Sequence, residues 1–506
     1  MANIVAAGSK LTAKAALYAF QKGGNAIDAA ISALLAVPLT EPALSSLGGG
    51  GLALVYLKKL KKIIFLDFFV STPKYRAKKE NLIKIEVDFG SAKQPFYVGP
   101  ASVAVPGVVK GIFWLYKNYA SLPFEELKKV AKNYALNGIY LEPLQAYFLK
   151  LLEPIYTFDE NARKIFAPNG KLIDDKVLFK NEDYAHFLDL LEKYGDKIFY
   201  EGEIADRIEK VMIEKQGHIR KVDLINYKIY QKDPIKINYR DYEIYLSNYP
   251  SIGSILIALS LKCFEKLNLT SKDFLTLKHV LGVIKALATS QKFREEVLNN
   301  FLKEEKENLK ELFQYFEKYE KAFLLNSLGN TTHISIKDKE GNIVSVTTTN
   351  GEGSGIVIPG TGIMLNNMLG EEDLNPFGFF KISPYKRLPS MMCPCIVKKG
   401  NIPILALGSA GSKRIRSAIF EVLINYLDFK LNIKEAIDAP RIHVEGNEVY
   451  LEPGFPKEII SILKEKYKYK LTVFKEKNLF FGGVQAVSLN DGAGDIRRGG
   501  VCFIMD

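Results

Sequence analysis

The chain has 506 residues, of which 47% are apolar and 25% are charged, which is typical of a soluble globular protein and argues against a disordered chain or a coiled coil. The formal net charge of +12 would suit a partner such as nucleic acid or an anionic membrane. However, the lysines are interleaved with glutamates, as in residues 303–307, so we expect neither partner.

The N-terminal stretch contains no basic leader followed by an uninterrupted apolar run, so the sequence indicates neither a secretory signal nor a membrane anchor. The apolar segment at residues 29–39 is too short to span a bilayer and is flanked by Asp28 and Glu41, which favours a buried helix. We therefore expect a cytoplasmic protein.

The first elements are helical. Residues 9–39 predict two helices around a turn at residues 22–25, the second ending near Pro38. After a glycine run at residues 48–51, two continuous apolar runs at residues 52–57 and 63–68 are joined by a lysine-rich turn. These runs predict a hairpin that is buried on both faces.

Helical patterns dominate residues 109–325, interrupted by an extended stretch at residues 237–246. The last piece, at residues 293–323, is crowded with lysine and glutamate and predicts a solvated helix that need not pack in the core. Strand patterns follow it. The chain therefore changes from helical to strand patterns near residue 330, and we place the main division of the chain there. No linker-like composition marks it.

Residues 331–349 predict a hairpin, because residues 331–337 alternate, residues 338–342 form a turn and the alternation then resumes. Pairing apolar with apolar side chains places Ile336 opposite Val344 and Ile334 opposite Val346. The same register places Thr331 opposite Thr349. On its own, such a threonine pair is most often an ordinary pair on a sheet surface.

A cut before Thr331 would give that residue a hydroxyl nucleophile and a free α-amine. An α-amine has a pKa of roughly 7.7–8.0, so it can act as the base at physiological pH. Thr349 could then orient the nucleophile, which would complete a catalytic group without a distant histidine or aspartate. Gly329 and Asn330, which precede Thr331, are small residues that suit a sharp bend.

Four cysteines are too few and too scattered for a disulfide framework, and Cys393-Pro-Cys395 lacks the second ligand pair of a zinc site. We interpret them as small apolar residues in a reducing compartment. No metal and no cofactor are expected.

Ten short motifs occur in order along nearly the whole chain: Gly23-Gly-Asn-Ala-Ile-Asp-Ala-Ala30, Leu47-Gly-Gly-Gly-Gly51, Val105-Pro-Gly107, Phe199-Tyr-Glu-Gly202, Tyr239-Arg-Asp-Tyr242, Thr331-Thr-His333, Gly362-Ile-Met-Leu-Asn-Asn367, Lys386-Arg387, Gly408-Ser-Ala-Gly-Ser412 and Gly482-Gly-Val-Gln485. Together they resemble the γ-glutamyltranspeptidase family of the N-terminal-nucleophile hydrolase superfamily. The resemblance implies an α+β fold, a four-layer αββα sandwich.

The resemblance also implies a precursor that cleaves itself between Asn330 and Thr331. The products would be a heavy chain, residues 1–330, and a light chain, residues 331–506, which stay together in one αββα unit. Thr331 would be the nucleophile of both cleavage and catalysis, and Thr349 its orienting partner. The backbone N–H groups of Gly411 and Ser412 would form the oxyanion hole.

Two substrate-binding positions depart from the family pattern. In the family, an arginine binds the α-carboxylate of the glutamyl group. The corresponding residue here is Phe69, so the bidentate hydrogen bonds that the arginine would donate are missing. Arg76 could substitute, but we interpret it as a solvated loop residue. A serine pair that also contacts this carboxylate is replaced by Ser390-Met391, so Ser390 alone carries over.

The family's acidic group for the substrate α-amine is best matched by Glu371, where an ordinary surface acidic cluster is an equal alternative. Met368 replaces a polar residue in the same segment. The loop after Thr349 is short, and the family's asparagine there aligns with Gly351, although Asn350 is adjacent. We retain Ser390, Glu371 and Asn350 as predicted substrate-binding residues.

The leading hypothesis is a self-processing γ-glutamyltranspeptidase-like enzyme acting on γ-glutamyl amides such as glutathione, with water, an amine or an amino acid as acceptor. A related acylase or amidohydrolase, acting on an amide without the glutamyl head group, is the alternative favoured by Phe69 and Met391. A non-catalytic relative is a second alternative, against which the retention of Thr331 and Thr349 argues. A homodimer is left open.

Overall fold

Two β-sheets stacked face to face form the centre of the structure, a computed structural model that describes residues 2–88, 93–318 and 331–506. The strands in chain order are β1 (Asn3–Ala7), β2 (Gly50–Leu57), β3 (Lys62–Phe68), β4 (Ile83–Asp88), β5 (Lys93–Val98), β6 (Tyr230–Lys232), β7 (Ile235–Tyr239), β8 (Tyr242–Leu246), β9 (Thr332–Lys337), β10 (Ile343–Thr349), β11 (Val357–Ile358), β12 (Ile363–Met364), β13 (Cys395–Lys399), β14 (Ile402–Ala410), β15 (Ile442–Glu445), β16 (Glu448–Leu451), β17 (Lys470–Val473), β18 (Gly483–Ser488), β19 (Gly492–Gly494) and β20 (Val501–Met505).

Helices cover the outer faces of both sheets. They are α1 (Lys10–Gln21), α2 (Ala26–Thr40), α3 (Val108–Tyr119), α4 (Phe124–Asn137), α5 (Pro143–Leu151), α6 (Glu153–Tyr156), α7 (Glu160–Phe166), α8 (Glu182–Tyr194), α9 (Lys197–Tyr200), α10 (Glu203–Glu214), α11 (Lys221–Ile225), α12 (Ile252–Glu265), α13 (Leu277–Phe293), α14 (Asn299–Lys303), α15 (Arg414–Leu427), α16 (Ile433–Asp438) and α17 (Lys457–Glu465). Among the described residues, no helix combines the length and apolar character needed to cross a bilayer.

The central strands are arranged in a seven-stranded sheet, ordered β20-β1-β9-β10-β2-β3-β6, and a six-stranded sheet, ordered β19-β18-β14-β13-β8-β7. Strands β9 and β10 of the first sheet pack on β14 of the second. Helices α1 and α2 cover the seven-stranded sheet, while α12 and α15 cover the six-stranded sheet. This arrangement is the predicted four-layer αββα sandwich.

Both faces of the seven-stranded sheet are buried along its inner strands β1, β9, β10 and β2. In β2, Ala53 and Val55 belong to the core under α2, whereas Leu52 and Leu54 belong to the core that includes the second sheet. Successive side chains of a strand point to opposite faces, so a strand between two apolar layers must be apolar throughout. The predicted hairpin of residues 52–57 and 63–68 is thus confirmed, as is its burial.

Helix α2 brings the chain into the centre of the fold. It begins at the N-cap Asn25, whose side chain accepts hydrogen bonds from the N–H groups of Ile27 and Asp28, in a capping box with Asp28. It continues two residues beyond Pro38 to Thr40, because the N–H of Glu41 still donates to the carbonyl of Val37. The two predicted helices are confirmed, with this shift at the end of the second.

The predicted solvated helix at residues 293–323 is wrong. Helix α13 ends at Phe293, a π-helical turn (Arg294–Leu298) and α14 follow, and the chain then breaks before a 3₁₀ segment (Leu309–Lys318). Apolar side chains hidden among the charges pack into the core: Leu298, Phe301, Leu302, Leu309 and Leu312. Residues 319–323 lie outside the described residues.

Candidate active site

The hairpin of β9 and β10 brings the two predicted catalytic threonines together. Its register pairs Ile336 with Val344 and Ile334 with Val346, as predicted, and runs to the pair Thr332–Thr348. One further step along the ladder brings Thr331 opposite Thr349, the last residue of β10. Both side chains line one cavity, with exposed fractions of 5% and 6%.

A glycine run lets β2 approach this end of the hairpin closely. Thr349 pairs with Gly50 in the sheet, and a Cβ atom on Gly49 would overlap the carbonyl oxygen of Thr349. Only glycine fits such a close approach of two backbones. The Leu47 to Gly51 motif is therefore a packing requirement of the site.

Eleven of the described residues line the cavity, which is narrow, with a volume of about 30 Å³. They are Phe69, Thr331, Thr349, Glu371, Asp373, Leu374, Ser390, Met391, Met392, Ser412 and Ile415. The cavity thus gathers five of the predicted site residues, together with Phe69 and Met391, the two positions that depart from the family pattern.

The predicted oxyanion loop connects β14 to α15. Gly411 and Ser412 both have positive φ, +122° and +51°, and a Cβ atom on Gly411 would lie 2.9 Å from the Cα of Gly482. The loop enters the N-terminus of α15, where backbone N–H groups and the helix dipole favour negative charge. Of these two loop residues, Ser412 lines the cavity and Gly411 does not.

Two carboxylates face the cavity in different environments. Asp373 lies 3.2 Å from Nζ of Lys413 and accepts a 3.1 Å hydrogen bond from Oγ of Ser412. The Oε1 atom of Glu371 is buried without a hydrogen-bond partner. Burial, followed by repulsion from Glu352 and Asp373, raises the pKa of Glu371 well above its ordinary value.

Gly351 and Glu371 fit each other sterically. Gly351 has φ of +62°, and a Cβ atom there would overlap Oε1 of Glu371 and Oδ1 of Asn367. Its N–H donates a 3.0 Å hydrogen bond to Oγ1 of Thr349. Gly351, which aligns with an asparagine of the family, therefore leaves room beside the loop for the Glu371 carboxylate.

Two predicted residues in the described part of the chain do not line the cavity. Gly411 belongs to the adjoining loop, and Asn350 is buried with its Nδ2 donating to the carbonyl of Leu365 at 3.4 Å. Asn330 lies outside the described residues. Arg76 donates through Nη2 to the carbonyl of Ile382 and is also absent from the cavity wall.

Sequence reasoning missed Glu41, which follows α2. This buried carboxylate accepts a 2.6 Å hydrogen bond from Oγ1 of Thr12 on one oxygen and another of 2.6 Å from Oγ1 of Thr332 on the other. Burial raises its pKa to about 7. The sequence signal for Glu41 is weak, because it is only an acid that follows the apolar segment at residues 29–39.

His333, two residues after Thr331, is buried between the sheets. Its ring nitrogens contact Oγ1 of Thr347 at 2.7 Å and Oγ of Ser335 at 2.9 Å. Burial lowers its pKa to about 3, so the ring is neutral at physiological pH. The histidine of the Thr331-Thr-His333 motif thus packs the sheets together and does not reach the cavity.

Residues 12–503 match the sequence profile of a family described as Gamma-glutamyltranspeptidase. The chain belongs to the gamma-glutamyltranspeptidase family. The resemblance carried by the ten motifs is thereby confirmed, and with it the assignment to the self-processing N-terminal-nucleophile enzymes. The non-catalytic alternative is not supported.

Curated relatives match over most of their length. The Bacillus subtilis protein named Glutathione hydrolase proenzyme is 27% identical, covering 96% of this chain and 88% of that protein. The Bacillus anthracis Capsule biosynthesis protein CapD proenzyme is 30% identical, covering 98% and 89%. The Acylase ACY 1 proenzyme of Pseudomonas sp. strain SE83 is 28% identical, covering 87% and 82%. The family thus includes both glutathione hydrolases and acylases.

A solved structure shares the whole architecture. The cephalosporin acylase from Bacillus halodurans superposes with a TM-score of 0.80 at 25% identity, covering 99% of this chain and 95% of that chain. The similarity extends across both sheets and their helical layers, so this member of the family has the complete fold of an N-terminal-nucleophile enzyme.

Proposed function

We propose that the chain cuts itself between Asn330 and Thr331 and that Thr331 then transfers the acyl group of an amide to water or to an amine. The observation that carries this proposal is the single cavity lined by Thr331, Thr349 and Ser412. It joins a hydroxyl nucleophile, a second hydroxyl to orient it and a loop at a helix N-terminus.

In the proposed reaction, Oγ1 of Thr331 attacks the amide carbonyl carbon while the α-amine of Thr331 accepts the hydroxyl proton. The oxyanion lies against the N–H groups of Gly411 and Ser412. The carbon–nitrogen bond then breaks, and the leaving amine takes the proton from the α-ammonium. Water or an acceptor amine attacks the resulting ester, and Thr331 recovers its hydroxyl proton as the acyl product leaves.

γ-Glutamyl amides such as glutathione are the proposed donors, which the relatives named glutathione hydrolase support. An amide without the glutamyl head group is the second candidate. It is favoured by Phe69 and Met391, because both apolar side chains line the cavity.

The proposed products, residues 1–330 and 331–506, would remain associated. Strand β1 of the first lies between β9 and β20 of the second, and β2 lies beside β10. The shared sheets support a mature enzyme of two chains in one αββα unit.

Intact mass of the purified protein tests the proposal. We expect two fragments divided between residues 330 and 331 for the wild type, and one uncut chain for Thr331→Ala. Thr270→Ala, an exposed threonine far from the hairpin in sequence, should be processed normally. A wild type that remains uncut after prolonged incubation would show that the proposal is wrong.

A further inference from the structure

The charges around the cavity are unbalanced. Among the described residues that line it, Glu371 and Asp373 are acidic and none is lysine or arginine. Lys413 lies next to the cavity, but its Nζ is shared between Asp373 at 3.2 Å and Glu445 at 3.3 Å. The described wall therefore presents acidic groups without a basic partner of its own, and the adjacent cation is already engaged.

Glu371 is the acid of the cavity wall that has an oxygen atom without a hydrogen-bond partner. Its Oε1 is buried and has no hydrogen-bond partner, although a buried polar atom normally has one. The Glu371 side chain packs closely against the loop after Thr349. Its Oε1 lies so near Gly351 that a Cβ atom there would overlap it. A ligand ammonium group would supply the missing donor and the missing opposite charge.

The remaining wall is largely apolar, formed by Phe69, Leu374, Met391, Met392 and Ile415. Methylene groups of an acyl chain would pack on this surface, and methionine side chains adapt to irregular shapes. A carboxylate buried against the same wall would find no cation and would be costly.

We propose that the cavity accepts amides whose acyl group ends in a primary amine and carries no carboxylate, with 4-aminobutyryl amides as the representative class. A 4-aminobutyryl group has the carbon skeleton of a γ-glutamyl group without its carboxylate, so both place the amine equally far from the scissile carbonyl. The ammonium binds Glu371 and the methylenes contact the apolar wall. This inference rests on the proposed function.

With water as acceptor, the reaction balances as an ordinary amide hydrolysis. Oγ1 of Thr331 bonds to the carbonyl carbon, the carbon–nitrogen bond breaks, and the amine leaves with the proton relayed from Thr331. Water then adds to the ester and Thr331 is released as a hydroxyl. The products are 4-aminobutanoate and the free amine, and no oxidant or further co-reactant is needed.

Three nitroanilides test the substrate class on the self-cleaved enzyme: 4-aminobutyryl, γ-glutamyl and glutaryl, which carry respectively an amine, both groups and a carboxylate alone. We expect kcat/KM to be highest for the 4-aminobutyryl anilide and lowest for the glutaryl anilide. A cleaved enzyme that prefers the γ-glutamyl or the glutaryl anilide, or that turns over none of the three, would overturn this inference. An uncut wild type would instead overturn the proposed function.

Two matched substitutions test the role of Glu371. Glu371→Gln should lower kcat/KM for the 4-aminobutyryl anilide about 30-fold or more, mainly through KM, because one partner of a buried charge pair is lost. The loss of kcat/KM should be smaller for the glutaryl anilide than for the 4-aminobutyryl anilide. Glu372→Gln, at the exposed neighbour, should have no effect. Equal losses for all three substrates in processed Glu371→Gln would contradict ammonium recognition.

Discussion

Oγ1 of Thr332 donates a 2.6 Å hydrogen bond to Oε2 of Glu41, which ties the residue directly after Thr331 to the end of α2. The other oxygen of Glu41 accepts from Thr12 of α1. The start of β9 is thus anchored to the two helices that cover the seven-stranded sheet. The candidate nucleophile Thr331 therefore directly precedes a residue that is hydrogen-bonded to a buried acid.

Glu41 should make stability depend on pH. Its folded-state pKa of about 7 lies above the ordinary value of 4.5, so between these values the folded chain keeps a proton that the unfolded chain has lost. The free energy of unfolding should therefore fall as pH rises from about 4.5 to about 7 and level off above it. Thermal unfolding of the uncut Thr331→Ala protein measures this trend.

Adding Glu41→Gln to the Thr331→Ala protein should flatten the trend, because the amide does not titrate. Glu340→Gln, at an exposed turn position, is the control and should leave the trend intact. A trend unchanged by Glu41→Gln would show that another group is responsible.

Thr349→Val should impair chemistry while preserving the fold. The substitution keeps the shape of the side chain but removes the hydroxyl that accepts from the N–H of Gly351 and faces the cavity. We expect slower self-cleavage and a loss in kcat of about 100-fold, a typical consequence of misplaced reacting groups. Fragment formation over time and steady-state kinetics measure both.

The control for Thr349→Val is Thr348→Val, one residue earlier on β10. Oγ1 of Thr348 accepts a 3.0 Å hydrogen bond from Ser45 and does not line the cavity. This variant should lose about 1 kcal/mol of stability with little change in kcat. Similar kinetics for the two variants would argue against a special role of Thr349.

Gly351→Ala should cost much more stability than Gly23→Ala. Both glycines have positive φ, +62° and +82°, so both substitutions carry a backbone strain of about 1–2 kcal/mol. A Cβ atom on Gly23 meets nothing within 4 Å, whereas one on Gly351 overlaps Asn367 and Glu371, which adds about 1–3 kcal/mol. Denaturant midpoints of the two variants in the Thr331→Ala protein measure the difference, and equal midpoints would contradict the close approach.

A buried ion network near the end of the chain should be sensitive to loss of one partner. Arg497 contacts Glu452 at 2.5 Å and Asp495 at 3.2 Å, and all three side chains are fully buried. Glu452→Gln should cost about 3–5 kcal/mol, since it leaves buried positive charge uncompensated. Glu160→Gln breaks an exposed pair with Lys164 and should cost far less stability, because water screens both charges. Thermal unfolding measures both, and similar costs would contradict the burial of the network.

The sequence predicted those features that depend on local pattern. Alternation in residues 331–349 determined the hairpin register, because a slip of one residue would have mixed apolar with polar faces. Ordered motifs then predicted the layered fold. The many charged residues at 293–323 led to the wrong prediction of a solvated helix. The apolar side chains Leu298, Phe301 and Leu309 pack into the core despite their charged neighbours.

Contacts between distant parts of the chain could not be read from the sequence. Glu41 and Thr332 are separated by 291 residues, and only the packing of α2 on β9 brings them together. The fit between Gly351 and Glu371 likewise depends on how two loops meet. Both relationships concern the candidate site, which explains why its residue types were easier to predict than its specificity.

The interleaved order of the strands has a consequence for how the protein could be made. In the seven-stranded sheet β1 lies between β20 and β9, and β10 lies beside β2, so either piece alone would expose unpaired, apolar strand edges and tend to aggregate. If separate genes encoded the two pieces, each piece would need the strands of the other to complete its sheets. The two proposed pieces, residues 1–330 and 331–506, are therefore expected to fold only when both are present.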